Sequence, residues 1–268
     1  MRTMVCLSIL IVGLLSVSNS EAYELFATQR TTTLSLSHID QATGASTHIG
    51  TVADTRPLDL ASLPESEPYV WAVTTQFTDN SFELIGFDPL SATLASRVSI
   101  QSDDPILTLA IDPADGTFFG TTETSLVELD PLTGAVSVVG ETSLPIDSAL
   151  AFDANGLLYG VSGSSTLVQL SKMRATVAVV GEIGAGLIGD IAFDPIGNRM
   201  YGLGISNNGN YELYEINAST AATSSIGQSL IRPSGLAFAT VPEPGGLGLA
   251  LFGLIGLTRI RRRIEFAG

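Results

Sequence analysis

The chain has 268 residues, with 27 Asp and Glu against 12 Lys and Arg, a formal net charge of −15 and 45% hydrophobic content. That hydrophobic share excludes a disordered acidic polymer, and the charge excludes a nucleic-acid-binding protein, because the body repels polyanions. A single cysteine excludes a disulfide-stapled scaffold and a thiolate zinc site, so an apolar core must hold the fold.

Residues 1–22 read as a secretory signal peptide. Met1-Arg2 is a basic start, Val5 to Val17 an apolar core, and Ser18 to Ala22 a polar region with small residues at Ser20 and Ala22. Cleavage is expected after Ala22, following passage through the secretion translocon; an uncut signal anchor is the alternative. Cys6 precedes the apolar core, too early for a lipoprotein cysteine, so the mature chain has no thiol.

Residues 23–240 form the body, and the roughly 220 residues suit one all-β domain. Without the two terminal segments the chain keeps 7 basic and 24 acidic residues, a net −17. Its strongest signal is self-similarity at a period near 40 residues. A Leu-Ala-apolar motif recurs at Leu60-Ala61, Leu109-Ala110, Leu150-Ala151, Ile191-Ala192 and Leu236-Ala237, with alanine at the shared position. An aromatic-small pair follows at Trp71-Ala72, Phe119-Gly120, Tyr159-Gly160 and Tyr201-Gly202, with Phe26-Ala27 as the fifth copy. A third motif is a strand ending in a turn former: Leu36 to Asp40, Leu84 to Asp88, Leu126 to Asp130, Leu167 to Ser171 and Leu213 to Asn217. A glycine follows at Gly50, Gly140, Gly181 and Gly227, while the second unit has Val98 there.

Four short strands per unit and five units predict an all-β fold, a five-bladed β-propeller of four-stranded blades. The alanines fit innermost strands crowded around a narrow axis. Tyr23 begins at the second strand of unit one, so the missing first strand is expected from Gly235 to Ala239. That pairing closes the ring and removes the open sheet edge. A six-bladed ring with one cryptic blade and a double β-sandwich share these signals. The repeats resemble secreted propeller proteins in general.

In such a meander the loop into strand one and the loop between strands two and three share an end. The loops into strand one carry Asp54, Asp103, Asp104, Asp147 and Asp190, with Arg232 in the closing copy, and these form a candidate ligand rim. The strand two–three loops add Asp79, Asn80, Glu123, Ser162, Ser164, Asn207, Asn208 and Asn210. Oxygen ligands of this kind suit a hard cation such as calcium, or sugar hydroxyls; no contiguous calcium loop is present. Asp112, Asp153 and Asp194 fall at the opposite end in tight-turn sequences and read as structural. His38 and His48 are the only histidines, and no serine triad, phosphate loop or His/Cys cluster can be assembled.

The last stretch, residues 241–268, begins Val241-Pro242-Glu243-Pro244. It continues with an uncharged glycine- and leucine-rich run to Leu257 and ends with Arg259, Arg261, Arg262 and Arg263. The apolar run is marginal for a bilayer-spanning helix, which needs about 20 residues. The arginines place the far end on the cytoplasmic side, and the prolines keep an extended, protease-accessible backbone outside. On these residues the tail resembles the PEP-CTERM sorting signal of Gram-negative bacteria. The resemblance implies processing by an exosortase at the Pro-Glu-Pro region and delivery toward exopolysaccharide matrix. A plain tail anchor and a buried C-terminal helix are the alternatives.

Two functional readings follow. One is an exported, membrane-anchored or released propeller that serves without catalysis, as a binding module for a surface or matrix ligand such as polysaccharide or as a scaffold or ligand-free spacer. The other is a hydrolase or lactonase-like enzyme using rim carboxylates and a metal, or a carboxylate-pair glycosidase. Three or more carboxylates converging at the ring centre would favour the metal enzyme.

Overall fold

The computed structural model describes residues 21–63, 70–76 and 81–242. The expected signal helix and C-terminal helix, with Glu243, Pro244, Arg259, Arg261, Arg262 and Arg263, lie outside the described residues, as do Asp79 and Asn80. Among the described residues there is no helix, and so none long and apolar enough to cross a membrane.

Twenty strands form five four-stranded sheets. Blade one contains β1 (Glu21–Gln29), β2 (Leu34–Ile39) and β3 (Ser46–Ala53). Blade two contains β4 (Arg56–Ser62), β5 (Val70–Thr75), β6 (Phe82–Asp88) and β7 (Thr93–Ser99). Blade three contains β8 (Thr108–Ile111), β9 (Phe118–Thr121), β10 (Ser125–Leu129) and β11 (Val136–Glu141). Blade four contains β12 (Ala149–Phe152), β13 (Leu158–Ser162), β14 (Thr166–Leu170) and β15 (Val177–Glu182). Blade five contains β16 (Leu187–Phe193), β17 (Met200–Ile205), β18 (Tyr211–Ile216) and β19 (Thr223–Gln228). The last strand, β20 (Pro233–Pro242), pairs beside β1 and completes blade one in the order β20-β1-β2-β3. The expected five-bladed, sealed ring is therefore the observed one. β20 also takes in Val241, whose side chain is buried, and Pro242, so the sheet reaches into the segment assigned to the tail. β1 likewise includes Ala22.

The motifs place the contacts between blades. In three blades the aromatic meets the phenylalanine that follows the motif alanine of the next blade. Phe119 packs on Phe152, Tyr159 on Phe193 and Tyr201 on Phe238, with ring centroids 5.6, 5.3 and 5.6 Å apart. Trp71 meets Phe118 edge-on at 5.3 Å. Tilted and T-shaped pairs of this kind add about 0.5–1.5 kcal/mol each beyond area burial.

The outer strands explain the recurring glycine. A hairpin turn of each blade presses against the outermost strand of the blade before it. The residue at that turn has positive φ: Gly44, Ala92, Gly134, Ala175 and Ala221. In the closing contact, a Cβ on Gly227 would stand 2.0 Å from the carbonyl oxygen of Thr43. Blade two, which has no glycine on its outer strand, is met by Gly134 instead, where a Cβ would stand 2.0 Å from the Ser99 carbonyl oxygen. One side of each contact must lack a side chain.

Turn chemistry sets the lower end, where the inner strands finish. Asp112 Oδ1 accepts from the Ala114 N–H at 2.9 Å, Asp153 Oδ1 from Leu157 at 2.8 Å, and Asp194 Oδ1 from Ile196 at 3.0 Å. These three aspartates are structural, as expected.

Candidate functional site

The five inner strands β4, β8, β12, β16 and β20 surround the axis. Directly before the Leu-Ala motif, equivalent positions hold Asp59, Thr108, Ala149, Asp190 and Gly235. Inner strands are sheet edges, so some of their N–H groups have no ladder partner and need another acceptor. Asp59 supplies two: its Oδ1 accepts from Leu60 at 2.7 Å, and its Oδ2 accepts from Leu109 of the next blade at 2.8 Å. Asp190 repeats this in blade five. Its Oδ1 accepts from Ile191 at 2.7 Å, and its Oδ2 accepts from Leu236 in blade one.

Local backbone aims both carboxylates. A β-bulge in the β4–β5 pairing lies between Pro57 and Asp59, and one in the β16–β17 pairing lies between Ile188 and Asp190. An extra residue bends the strand and re-aims the side chain after it. The extra residue in β16 is Gly189, where a Cβ would come within 2.9 Å of the Pro233 ring. Blade one stands between blades five and two and carries Gly235 at this level. A Cβ there would come within 2.6 Å of Leu60 Cγ. The absent side chain lets Asp59 and Asp190 meet across it.

The two carboxyl groups hydrogen-bond each other, and both are fully buried. All four oxygens already accept backbone N–H groups, so the bond between them needs a proton held on one carboxyl. Burial pushes Asp59 up to about 7. Burial, and then the neighbouring charge of Asp59, raise Asp190 well above the usual carboxylate range. Two carboxylates sharing one site cannot both ionise freely. Blade three solves the same level with neutral groups: the Thr108 and Thr121 hydroxyls are 2.6 Å apart, and Thr121 donates to the Ile146 carbonyl at 2.6 Å.

This pair divides the axis. Above it lies a cavity of about 350 Å³, lined by Arg30, Leu58, Asp147, Ser148, Ser164 and Ser234 among others. Below it lies one of about 250 Å³, lined largely by the alanines and phenylalanines of the inner strands, with Tyr23. Asp59 and Asp190 line neither cavity. They contact each other, which leaves no room for a glycosidic bond between them, since glycosidase carboxylates stand about 5–9.5 Å apart. Among the described residues no group of three His, Cys, Asp or Glu converges as a metal site. The convergence of three carboxylates that would favour the metal enzyme is not found among them.

The rim differs from its expectation in one residue. Asp190 is not a rim residue: it lies inside β16 and is wholly buried, because that strand starts at Leu187, well before its motif. Asp54, Asp103, Asp104, Asp147 and Arg232 are exposed at the upper end. Asp147 Oδ1 accepts from Gly163 at 2.9 Å, and Ser148 and Ser164 hydroxyls are 2.7 Å apart, so the two loop sets do share that end. Sequence reasoning missed Asp59, whose register relative to Leu60-Ala61 matches that of Asp190 before Ile191-Ala192. It also missed Arg30 and Arg56, which join Arg232 in one cleft. The repeated dipeptides Arg56-Pro57 and Arg232-Pro233 were the available signal.

No protein-family model matches the chain, and no curated protein matches it in sequence. Solved structures do. The chain is similar to a chain of a nidogen/laminin complex, with TM-score 0.56 and 12% identity over 81% of this chain and 98% of that one. It is similar to a Bacteroides caccae protein of unknown function, with TM-score 0.52 and 10% identity over 81% and 98%. It is also similar to TolB from Acinetobacter baumannii, with TM-score 0.50 and 12% identity over 78% of this chain and 53% of that one. At these identities the likeness shows a shared propeller fold and leaves function to be argued from the site.

Proposed function

We propose that this chain is an exported propeller, sorted by its C-terminal tail to the cell surface or extracellular matrix, where the ring is a non-catalytic binding or scaffold module. One observation carries the binding reading: the buried carboxyl pair at the axis is saturated by backbone N–H groups and sealed from both cavities. Because Asp59 and Asp190 line neither axial cavity, they have no access to a substrate held in either, whereas both cavities can take a ligand. The propeller fold shared with distant solved structures fits a binding or scaffold role.

Delivery rests on the sequence. Pro242-Glu243-Pro244, the short apolar run and the arginines Arg259, Arg261, Arg262 and Arg263 support processing by an exosortase-type enzyme, after export by the translocon. Exopolysaccharide is the partner this delivery favours. Fractionation with immunoblotting of cells expressing the full chain tests it. Replacing the four arginines together is expected to abolish retention and processing; unchanged processing and location would refute the sorting reading.

A further inference from the structure

Seven basic side chains serve the body of net charge −17. Among the described residues, Arg97 faces Glu83, Lys172 faces Asp112 and Arg199 faces Asp194. Arg30, Arg56 and Arg232 face one another instead, around an open cleft of about 410 Å³ with Thr31 and Thr32. None of the three has a described carboxylate at ion-pair distance. Burial, and then the charges of Arg56 and Arg232, hold the Arg30 guanidinium below its ordinary value.

The arrangement is built rather than a chance of surface side chains. Arg30 directly follows β1, and its N–H donates to the Arg232 carbonyl at 2.9 Å. Arg56 opens an inner strand and Arg232 directly precedes one, and each is followed by a buried proline, Pro57 or Pro233, that fixes the backbone. Three guanidiniums without a described carboxylate partner, on a molecule of net negative charge, repel each other, and an anion relieves that repulsion. Arg30 also lines the upper axial cavity, so the cleft opens onto Asp147, Ser148, Ser164 and Ser234.

We propose that this cleft binds one oxyanion carried on a hydroxylated body, the chemistry of an acidic sugar residue. The guanidinium forks take the carboxylate. The serines and Asp147 of the adjoining mouth take the hydroxyls. The −17 body repels a densely charged polymer, so the fit is to a chain end or a sparsely charged glycan. This rests on the binding-module reading and narrows it.

The test is calorimetric titration of the purified full chain with D-glucuronate, D-glucose and sodium sulfate at one ionic strength. Glucuronate is expected to bind, glucose to give no heat, and sulfate to bind several-fold more weakly because it reaches only the arginines. Arg56→Gln and Arg232→Gln should each weaken glucuronate at least tenfold and raise the melting temperature of the ligand-free protein. Equal affinity in wild type and both variants, or no binding of either anion to wild type, overturns the site. Sulfate as tight as glucuronate overturns the sugar and leaves a bare oxyanion site. Glycan-array binding by wild type that survives in the Arg56→Gln/Arg232→Gln double variant overturns this site while the binding-module reading stands.

Discussion

Asp59→Asn changes the pH dependence of stability in a way that isolates the axial pair. In wild type, burial lifts Asp59 to about 7, while an unfolded aspartate titrates near 4. Between those values the folded chain holds a proton that the unfolded chain has released. Stability is therefore full below about pH 4 and falls as pH rises through about 7, by about 4 kcal/mol in total. Asp190, raised in the same direction, adds to the fall. The substituted amide still donates to Asp190, but its one oxygen cannot accept from both Leu60 and Leu109. One buried N–H then lacks an acceptor, at a cost of about 1–3 kcal/mol. The variant should be less stable than wild type at pH 5, have a shallower slope, and close the gap by pH 8. Urea denaturation of both proteins at pH 5, 6, 7 and 8 reads this directly. Parallel curves for the two proteins, or a wild type whose stability rises from pH 5 to 8, would refute a shared proton at the axis.

Gly227→Ala should destabilise by about 3 kcal/mol, because the new methyl meets the backbone carbonyl of Thr43 rather than a side chain that can turn away; equilibrium denaturation checks it, and a neutral result would contradict the packing of turn on strand. Lys172→Met strips the partner from Asp112, which is 1% exposed, and should cost about 2 kcal/mol. Adding Asp112→Asn should recover part of that loss, and a double-mutant cycle measures the coupling.

The blades, the ring of alanines and the closing strand were legible because each is a repeated pattern, and five copies correct one another. The aspartate turns at the lower end were legible because their chemistry is local. The axial pair was not. Counting from the motif places Asp190 in a loop, as β8 and β12 start directly before theirs at Thr108 and Ala149. β4 and β16 begin three residues earlier relative to the motif, at Arg56 and Leu187, and each carries a bulge. Those bulges draw Asp59 and Asp190 into the interior, and the extra residue breaks the two-residue alternation that would otherwise have marked these positions as strand. The arginine cleft was hidden for another reason. Arg30 and Arg232 lie at opposite ends of the body sequence and become neighbours only when β20 settles beside β1.

Pairing the first strand with the last also sets a schedule for biosynthesis. While the ribosome is still adding residues, β1 has no neighbour on its inward side, and that flank stays available to any passing extended chain. Blades two to five, each made of consecutive strands, can settle as they emerge, but the seal waits for the ten residues of β20. A chain interrupted before Pro233 would leave a split washer with two raw flanks, prone to joining its own copies.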